Sequence, residues 1–245
     1  MIPPLVSSDA ERYSCFIFVQ PSHRSPFASF CYLRTMVRAP SFAGVILAAG
    51  DSSGMGRDKA LLPWPPVLSR QPSSNDTFLS AVIRSLFSTD IVLVVAGRNQ
   101  PTLAPVAYAS GASIVVNPDP DRGQFSSLQV GLQEVLNRGR DAAIIALVNR
   151  PPVSSKTIAV LRKAFESAPD PIWAVVPEFG GQPGHPIVIG RELIEVFLQS
   201  PPDSSAIDIE RQYEDRIERV AVADPFVSRS ISTYEDYASL LAASA

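Results

Sequence analysis

The chain has 245 residues, 46% hydrophobic and 18% charged, with a formal net charge of -3. That length and composition allow one substantial core, and the slight negative charge argues against a nucleic-acid binder working through bulk positive charge. No uninterrupted apolar stretch approaches the roughly 20 residues needed to cross a bilayer, so a soluble, cytoplasmic protein with no membrane partner is expected.

Residues 1–35 carry Pro3, Pro4, Pro21 and Pro26 among scattered aromatics and keep no sustained period of 2 or 3.6. They read as a poorly structured N-terminal extension, with a single domain expected over 36–245. Both cysteines, Cys15 and Cys31, fall in that extension, which leaves the expected domain without a disulfide or thiolate metal site and suits a reducing compartment. From Phe42 onward, apolar runs of strand length alternate with amphipathic stretches of helix length. Strands are predicted at 43–48, 91–96, 113–116, 142–148, 172–176, 186–189 and 220–222, and helices at 77–87, 101–109, 126–137, 154–167, 191–198 and 234–241. Most of the strands are continuously apolar, as expected where both faces are covered. The alternation predicts an α/β fold, a mainly parallel sheet wrapped by helices.

The first strand runs into "LAAGDSSGMGRDKALLP", Leu47 to Pro63. In such folds ligands bind beyond the carboxyl ends of the strands. Gly50, Gly54 and Gly56 allow close backbone approach, successive amides in a tight loop form an anion cradle, and Lys59 adds a point charge for phosphate. The spacing matches neither GxxxxGK[ST] nor GxGxxG. Local chemistry alone leaves two readings open, a polyphosphate cradle or a glycine-rich turn beside an ordinary surface lysine.

This stretch resembles the LAAGxSxRMGxxKxLLP signature of the MobA-like nucleotidyltransferases, which include molybdenum cofactor cytidylyltransferases and guanylyltransferases. Three further blocks follow in the family's order: "NPDPDRGQFSSLQVGL" from Asn117, "LVNRPPVSS" from Leu147 and "GGQPGHPIVIG" from Gly180. The resemblance implies a Rossmann-like three-layer α/β/α nucleotidyltransferase fold with a mainly parallel mixed sheet. It also implies transfer of a nucleotidyl group from a nucleoside triphosphate, with Mg²⁺, to a phosphorylated acceptor such as molybdopterin, with release of pyrophosphate. A molybdoenzyme or chaperone partner would follow from that role.

Carried over residue by residue, the resemblance gives Lys59 the catalytic charge. It assigns nucleotide binding to Ala48, Ala49, Gly50, Ser52, Gly54, Gly56, Gly123, Ser126 and Ser127, and acceptor binding to Gly184, His185 and Pro186. The LAAG spelling resembles the cytidylyl branch and favours CTP over GTP. Each assignment has a plainer counterpart. A lone histidine beside a strand is usually a packed, hydrogen-bonded residue, so positioning is favoured over proton transfer for His185. Ser126 and Ser127 can serve as the N-cap of the helix that follows. Trp64 and Trp173 read as packing residues, and the acidic run Asp208, Glu210, Glu214, Asp215 as a solvated helical face.

The chain departs from the pattern at three places. Gly54 stands in place of the family's arginine, and Asn149-Arg150 in place of Asp-Gln, whose aspartate is a metal ligand in relatives. Ser230 and Ser232 replace two aspartates of a DIDTPEDY-like segment. Asn149 keeps a carbonyl oxygen for a metal but no charge. Asp51, Asp224, Glu235 and Asp236 are candidate substitutes. An active nucleotidyltransferase with an altered metal site is therefore preferred, because Lys59 and most of the glycine framework are kept. A catalytically impaired homologue acting as a nucleotide- or cofactor-binding regulator or scaffold is the alternative. A sugar-phosphate nucleotidyltransferase is weaker, since the Gly-His-Pro block speaks against it.

Overall fold

The computed structural model describes residues 39–50, 58–65 and 76–242; the expectations for 1–35 and for Ser52, Gly54, Gly56 and Asp51 fall outside these. The strands are β1 (Phe42–Leu47), β2 (Ile91–Ala96), β3 (Ser113–Val116), β4 (Ala142–Leu147), β5 (Ala174–Phe179), β6 (Gln182–Pro183), β7 (Ile187–Gly190) and β8 (Ile217–Ala221). They form one mixed sheet in the order β3-β2-β1-β4-β7-β5-β6, with β8 paired to β5. β1, β2, β3 and β4 are mutually parallel, β7 runs antiparallel to both β4 and β5, and β8 is parallel to β5. The mainly parallel mixed sheet and the three-layer α/β fold are as expected.

The side-chain period of two along β1 divides the core. Phe42 and Ile46 face one layer, where they meet α1 (Phe78–Ser85), α2 (Gln100–Ala109) and α4 (Ser155–Ser167). Ala43, Val45 and Leu47 face the other, against α3 (Gln124–Asn137), α5 (Arg191–Gln199) and α6 (Ala206–Gln212). The last helix, α7 (Tyr234–Ala242), returns over a smaller cluster around Leu62 and Phe78. There the Tyr237 hydroxyl donates to the Pro63 carbonyl at 2.8 Å.

Gly131 lets α3 press onto the sheet, since a Cβ at that position would lie 2.8 Å from Val45 Cγ1 and 2.9 Å from Val95 Cγ2. Trp64 packs edge-on against Phe78 at 4.9 Å, and Trp173 lies 5.3 Å from Tyr213, so both tryptophans are packing residues as read. α6 was not among the predicted helices, although the sequence placed a helical acidic face there. That face is only partly solvated. Asp208, Glu214 and Asp215 are exposed, each within reach of an arginine, but Glu210 is half-buried. Ile209 anchors the helix in the core, and its neighbour is carried inward with it.

Candidate active site

After β1, β2 and β3 have been laid down in one direction, the chain crosses back and places β4 on the other side of β1. The crevice between the carboxyl ends of β1 and β4 is thus a topological switch point, where open α/β sheets hold their ligands. A cavity of about 180 Å³ opens there, with Leu47 and Leu147 at its base. Ala49, Gly50, Lys59, Gly123, Ser127 and Asn149 all line it. Six residues singled out from the sequence, on four separate segments, therefore share one cavity.

Each is placed by identifiable contacts. The backbone leaves β1 with Ala48, which is 2% exposed; Ala48 sits behind the cavity wall and does not line it. Its carbonyl accepts a hydrogen bond from Asn99 Nδ2 at 2.9 Å. Gly97 keeps this exit narrow, since a Cβ there would lie 2.9 Å from the Ala49 carbonyl oxygen. Lys59 opens a short 3-10 turn, Lys59–Leu61, capped by Asp58, whose Oδ1 accepts from the Ala60 amide at 2.9 Å.

On the opposite wall, Gly123 adopts φ 93° and starts α3 without a side-chain cap. A left-handed φ of this kind favours glycine. Gly123 and Gln124 line the cavity, so the positive end of the helix dipole lies at the crevice. Asn117, 3% exposed, ties this wall together: Nδ2 donates to Ser126 Oγ at 3.0 Å and to Ser127 Oγ at 2.9 Å, while Oδ1 accepts from the Asp119 amide at 3.0 Å. Ser126 donates back to the Gly123 carbonyl at 2.8 Å and does not line the cavity, whereas Ser127 does. Asn117 heads one of the family-like blocks, yet the burial that makes it the organiser of both serines is not visible from spacing.

The Gly-His-Pro block lies elsewhere. Gly184 is packed against the chain following β8, where an added Cβ would fall 1.9 Å from the Val227 carbonyl oxygen. His185 donates its amide to that same oxygen at 2.8 Å, and Arg150 Nη1 donates to it at 3.0 Å. Burial, aided by the Arg150 charge, pushes the His185 imidazole down to about 3, so it is neutral at physiological pH and is no proton donor there. Pro186 is buried beside it. Arg150 follows Asn149 directly but aims away from the Lys59 cavity, lining the recesses that His185 also lines.

The donor set bears on a metal. Among the described residues no carboxylate lines the Lys59 cavity, and no group of three His, Cys, Asp or Glu is arranged to hold an ion. The described substitutes are committed or exposed. Asp224 accepts from the Ser154 amide, Thr157 Oγ1 and the Phe226 amide at 2.8, 2.9 and 3.1 Å. Asp236 accepts from the Ser232 and Thr233 amides at 2.7 and 2.8 Å, and Glu235 is exposed. The Ile231 amide donates to the Asn149 carbonyl at 2.7 Å, which brings the segment carrying Ser230 and Ser232 alongside Asn149. Mg²⁺ favours hard, charged oxygen ligands, and the described residues do not build a resident site for it.

A cavity at the switch point, flanked by the exit of β1 at Ala49-Gly50 and by an uncapped helix start, is where an α/β protein of this topology takes its ligand. Residues 44–217 match the model of the MobA-like NTP transferase domain, and the chain belongs to that family. It is similar to the molybdenum cofactor cytidylyltransferase of Escherichia coli strain K12, at 28% identity over 157 residues, covering 64% of this chain and 74% of that protein. A probable molybdenum cofactor guanylyltransferase of Rhodopirellula baltica is 28% identical over 134 residues, 54% of this chain and 60% of its own length. Among solved structures, Rv0371c of Mycobacterium tuberculosis H37Rv shares the fold with a TM-score of 0.69 at 24% identity, over 84% of this chain and 99% of that one. Rv0371c has also been solved in complex with manganese (TM-score 0.65, 22% identity, 82% and 98% coverage).

Proposed function

We propose that the chain transfers a cytidylyl group from CTP to a phosphorylated, molybdopterin-like acceptor and releases pyrophosphate. The observation that carries this reading is the convergence of Ala49, Gly50, Lys59, Gly123, Ser127 and Asn149 on one cavity at the switch point. In the proposed reaction an acceptor phosphate oxygen attacks the α-phosphorus in line, the bond from that phosphorus to the bridging oxygen breaks, and pyrophosphate leaves with the electron pair. No covalent enzyme intermediate is required, so the protein acts by positioning and by charge stabilisation. Lys59 supplies a cation at the phosphates, the amides starting α3 supply dipoles, and Ser127 contacts the nucleoside. CTP is preferred over GTP because the LAAG exit resembles the cytidylyl branch and the E. coli relative carries that activity in its name.

Pyrophosphate release from CTP or GTP with a molybdopterin acceptor, alongside calorimetric nucleotide binding, tests the proposal. Turnover lost in Lys59→Ala supports it. The carboxylate-free lining described above favours one second reading, a nucleotide-binding regulator or scaffold without transfer. Binding without turnover, with turnover gained in Asn149→Asp combined with Gly54→Arg, selects that reading.

A further inference from the structure

β8 is an edge of the sheet: among the described residues only β5 pairs with it. The Arg216 carbonyl accepts from the Trp173 amide at 2.7 Å, and the Val222 amide donates to the Glu178 carbonyl at 2.9 Å, so the even-numbered residues direct their backbone groups to β5. Backbone groups alternate in direction along a strand. Those of Arg219 and Ala221 therefore point outward, an unpaired edge that can template another strand. Beside this edge runs an open groove of about 470 Å³, between α4 and the segment that follows β8. Val160, which is 46% exposed, forms its apolar lining with Val222 and Pro225, and Lys156 stands on its α4 wall.

We propose that β8 pairs antiparallel with β8 of a second copy of this chain, about a twofold axis at Val220, so that two sheets join edge to edge. The charges select the register. Ladder bonds form only where outward-facing residues of both strands are matched, so the axis passes through a residue and not between two. An axis at Glu218 or at Arg219 sets that residue against its own copy, and an axis at Ala221 sets Glu218 against Asp224. Like charges directly opposite destabilise a strand pair. The axis at Val220 avoids all three clashes. It places Val220 against its own copy as a non-hydrogen-bonded pair, where side chains lie closest, and Arg219 against Ala221 in both directions.

The same register fills the groove. Val220 and Val222 pack on the face of the sheet that α4 covers, and Glu218, two residues before Val220, shares that face. With the axis at Val220, Glu218 of one copy lies opposite Val222 of the other, at the groove that Lys156 lines. Neither Glu218 nor Lys156 makes an ion pair with another described residue, and the dimer gives each a partner twice over by symmetry. That reciprocity favours a second copy over an unrelated strand, because this chain carries both the acid and its cation at the required spacing. The groove and the Lys59 cavity share no lining residue, so the association is independent of the reaction proposed above.

Sedimentation velocity on the full chain tests this. A reversible monomer-dimer equilibrium is expected, weakened at least about tenfold by Glu218→Lys or by Lys156→Glu, since each sets two like-charged pairs across the axis. The double variant, Glu218→Lys with Lys156→Glu, restores opposite charges and should return to within about threefold of the natural chain. Ala221→Pro removes one outward amide, a change an edge strand tolerates, and should weaken the dimer while the circular dichroism stays native. A monomer at every concentration, a dimer indifferent to the single charge changes, or a double variant no tighter than the singles overturns the proposal. If Glu218→Lys does not fold, Lys156→Glu on the exposed side of α4 and Ala221→Pro decide.

Discussion

Asn99, just beyond β2, reaches Asp58 with its Nδ2 2.7 Å from Asp58 Oδ2. The same amide holds the Ala48 carbonyl, and its Oδ1 accepts from the Gly97 amide at 3.1 Å. One side chain thereby fastens the turn that carries Lys59 to the mouth of β1. Asn99→Ala should cost about 1–3 kcal/mol of stability, as part-buried partners are left unsatisfied, and should weaken CTP binding more than Arg84→Ala, an exposed ion-pair control. Urea unfolding and calorimetry on both variants check this.

Asn117→Ala releases the hydroxyls of Ser126 and Ser127 together. Because the amide is buried and makes three hydrogen bonds, a loss of roughly 2–4 kcal/mol is expected, at the upper end for a polar substitution. Asn117→Asp should lose the two Nδ2 donors but retain the Asp119 contact. A free energy of unfolding within 0.5 kcal/mol of the natural chain for both, an approximate threshold for surface changes, would contradict this role.

Gly184→Ala sets a methyl against the Val227 carbonyl, where backbone must give way. Overpacking typically costs about 1–3 kcal/mol and more when backbone is the obstacle, so a fall in midpoint of several degrees is expected. Gly50→Ala meets nothing within 4 Å among the described residues and should leave the midpoint nearly unchanged in the same melting experiment.

Glu210 and His185 give opposite pH slopes. Glu210 has its folded pKa raised from 4.5 to about 7, so the folded state holds the extra proton, and this stabilising contribution fades as pH rises through that window. His185 is lowered from 6.5 to about 3. The unfolded state then binds the extra proton, and stability falls as pH drops from 6.5 towards 3. Relative to the natural chain, Glu210→Gln should gain stability between about pH 5 and pH 7, and His185→Gln should lose less stability below about pH 6. Parallel curves across the whole range would refute both.

Asn149→Asp introduces a carboxylate into a cavity wall that has none among the described residues. Mn²⁺ binding, followed by water proton relaxation, should become at least about tenfold tighter in the presence of CTP. No change would mean that the Asn149 position does not meet the metal carried by the nucleotide.

The parallel half of the fold was legible because β1, β2 and β4 are apolar along their length, which is the signature of strands covered on both faces, while the edge strand β3 is a short, half-buried run. The second half was less so. β5 starts at Ala174 and not at Ile172, which follows Pro171, and it runs on to Phe179 through Pro177 and Glu178, residues that interrupt an apolar pattern. β6 is two residues long and exists only because Gly180 and Gly181, both at positive φ, fold the chain back. In the site, glycine and lysine positions carried their own signal, since backbone approach and mobile charge depend on residue type. Asn99 and Asn117 did not, because their importance comes from the partners the fold brings to them, as far as 51 residues away in the chain.

The Val227 carbonyl receives the amide of His185 and the guanidinium of Arg150 while pressing on Gly184. A peptide oxygen cannot be removed by substituting its own side chain, but Val227 is itself fully buried in the core, so a change there acts on the junction by shifting the main chain. The strap following β8 is thus tied to the Gly184-His185 turn and to Arg150 through one atom, and a displacement of the main chain there would disturb all three contacts together.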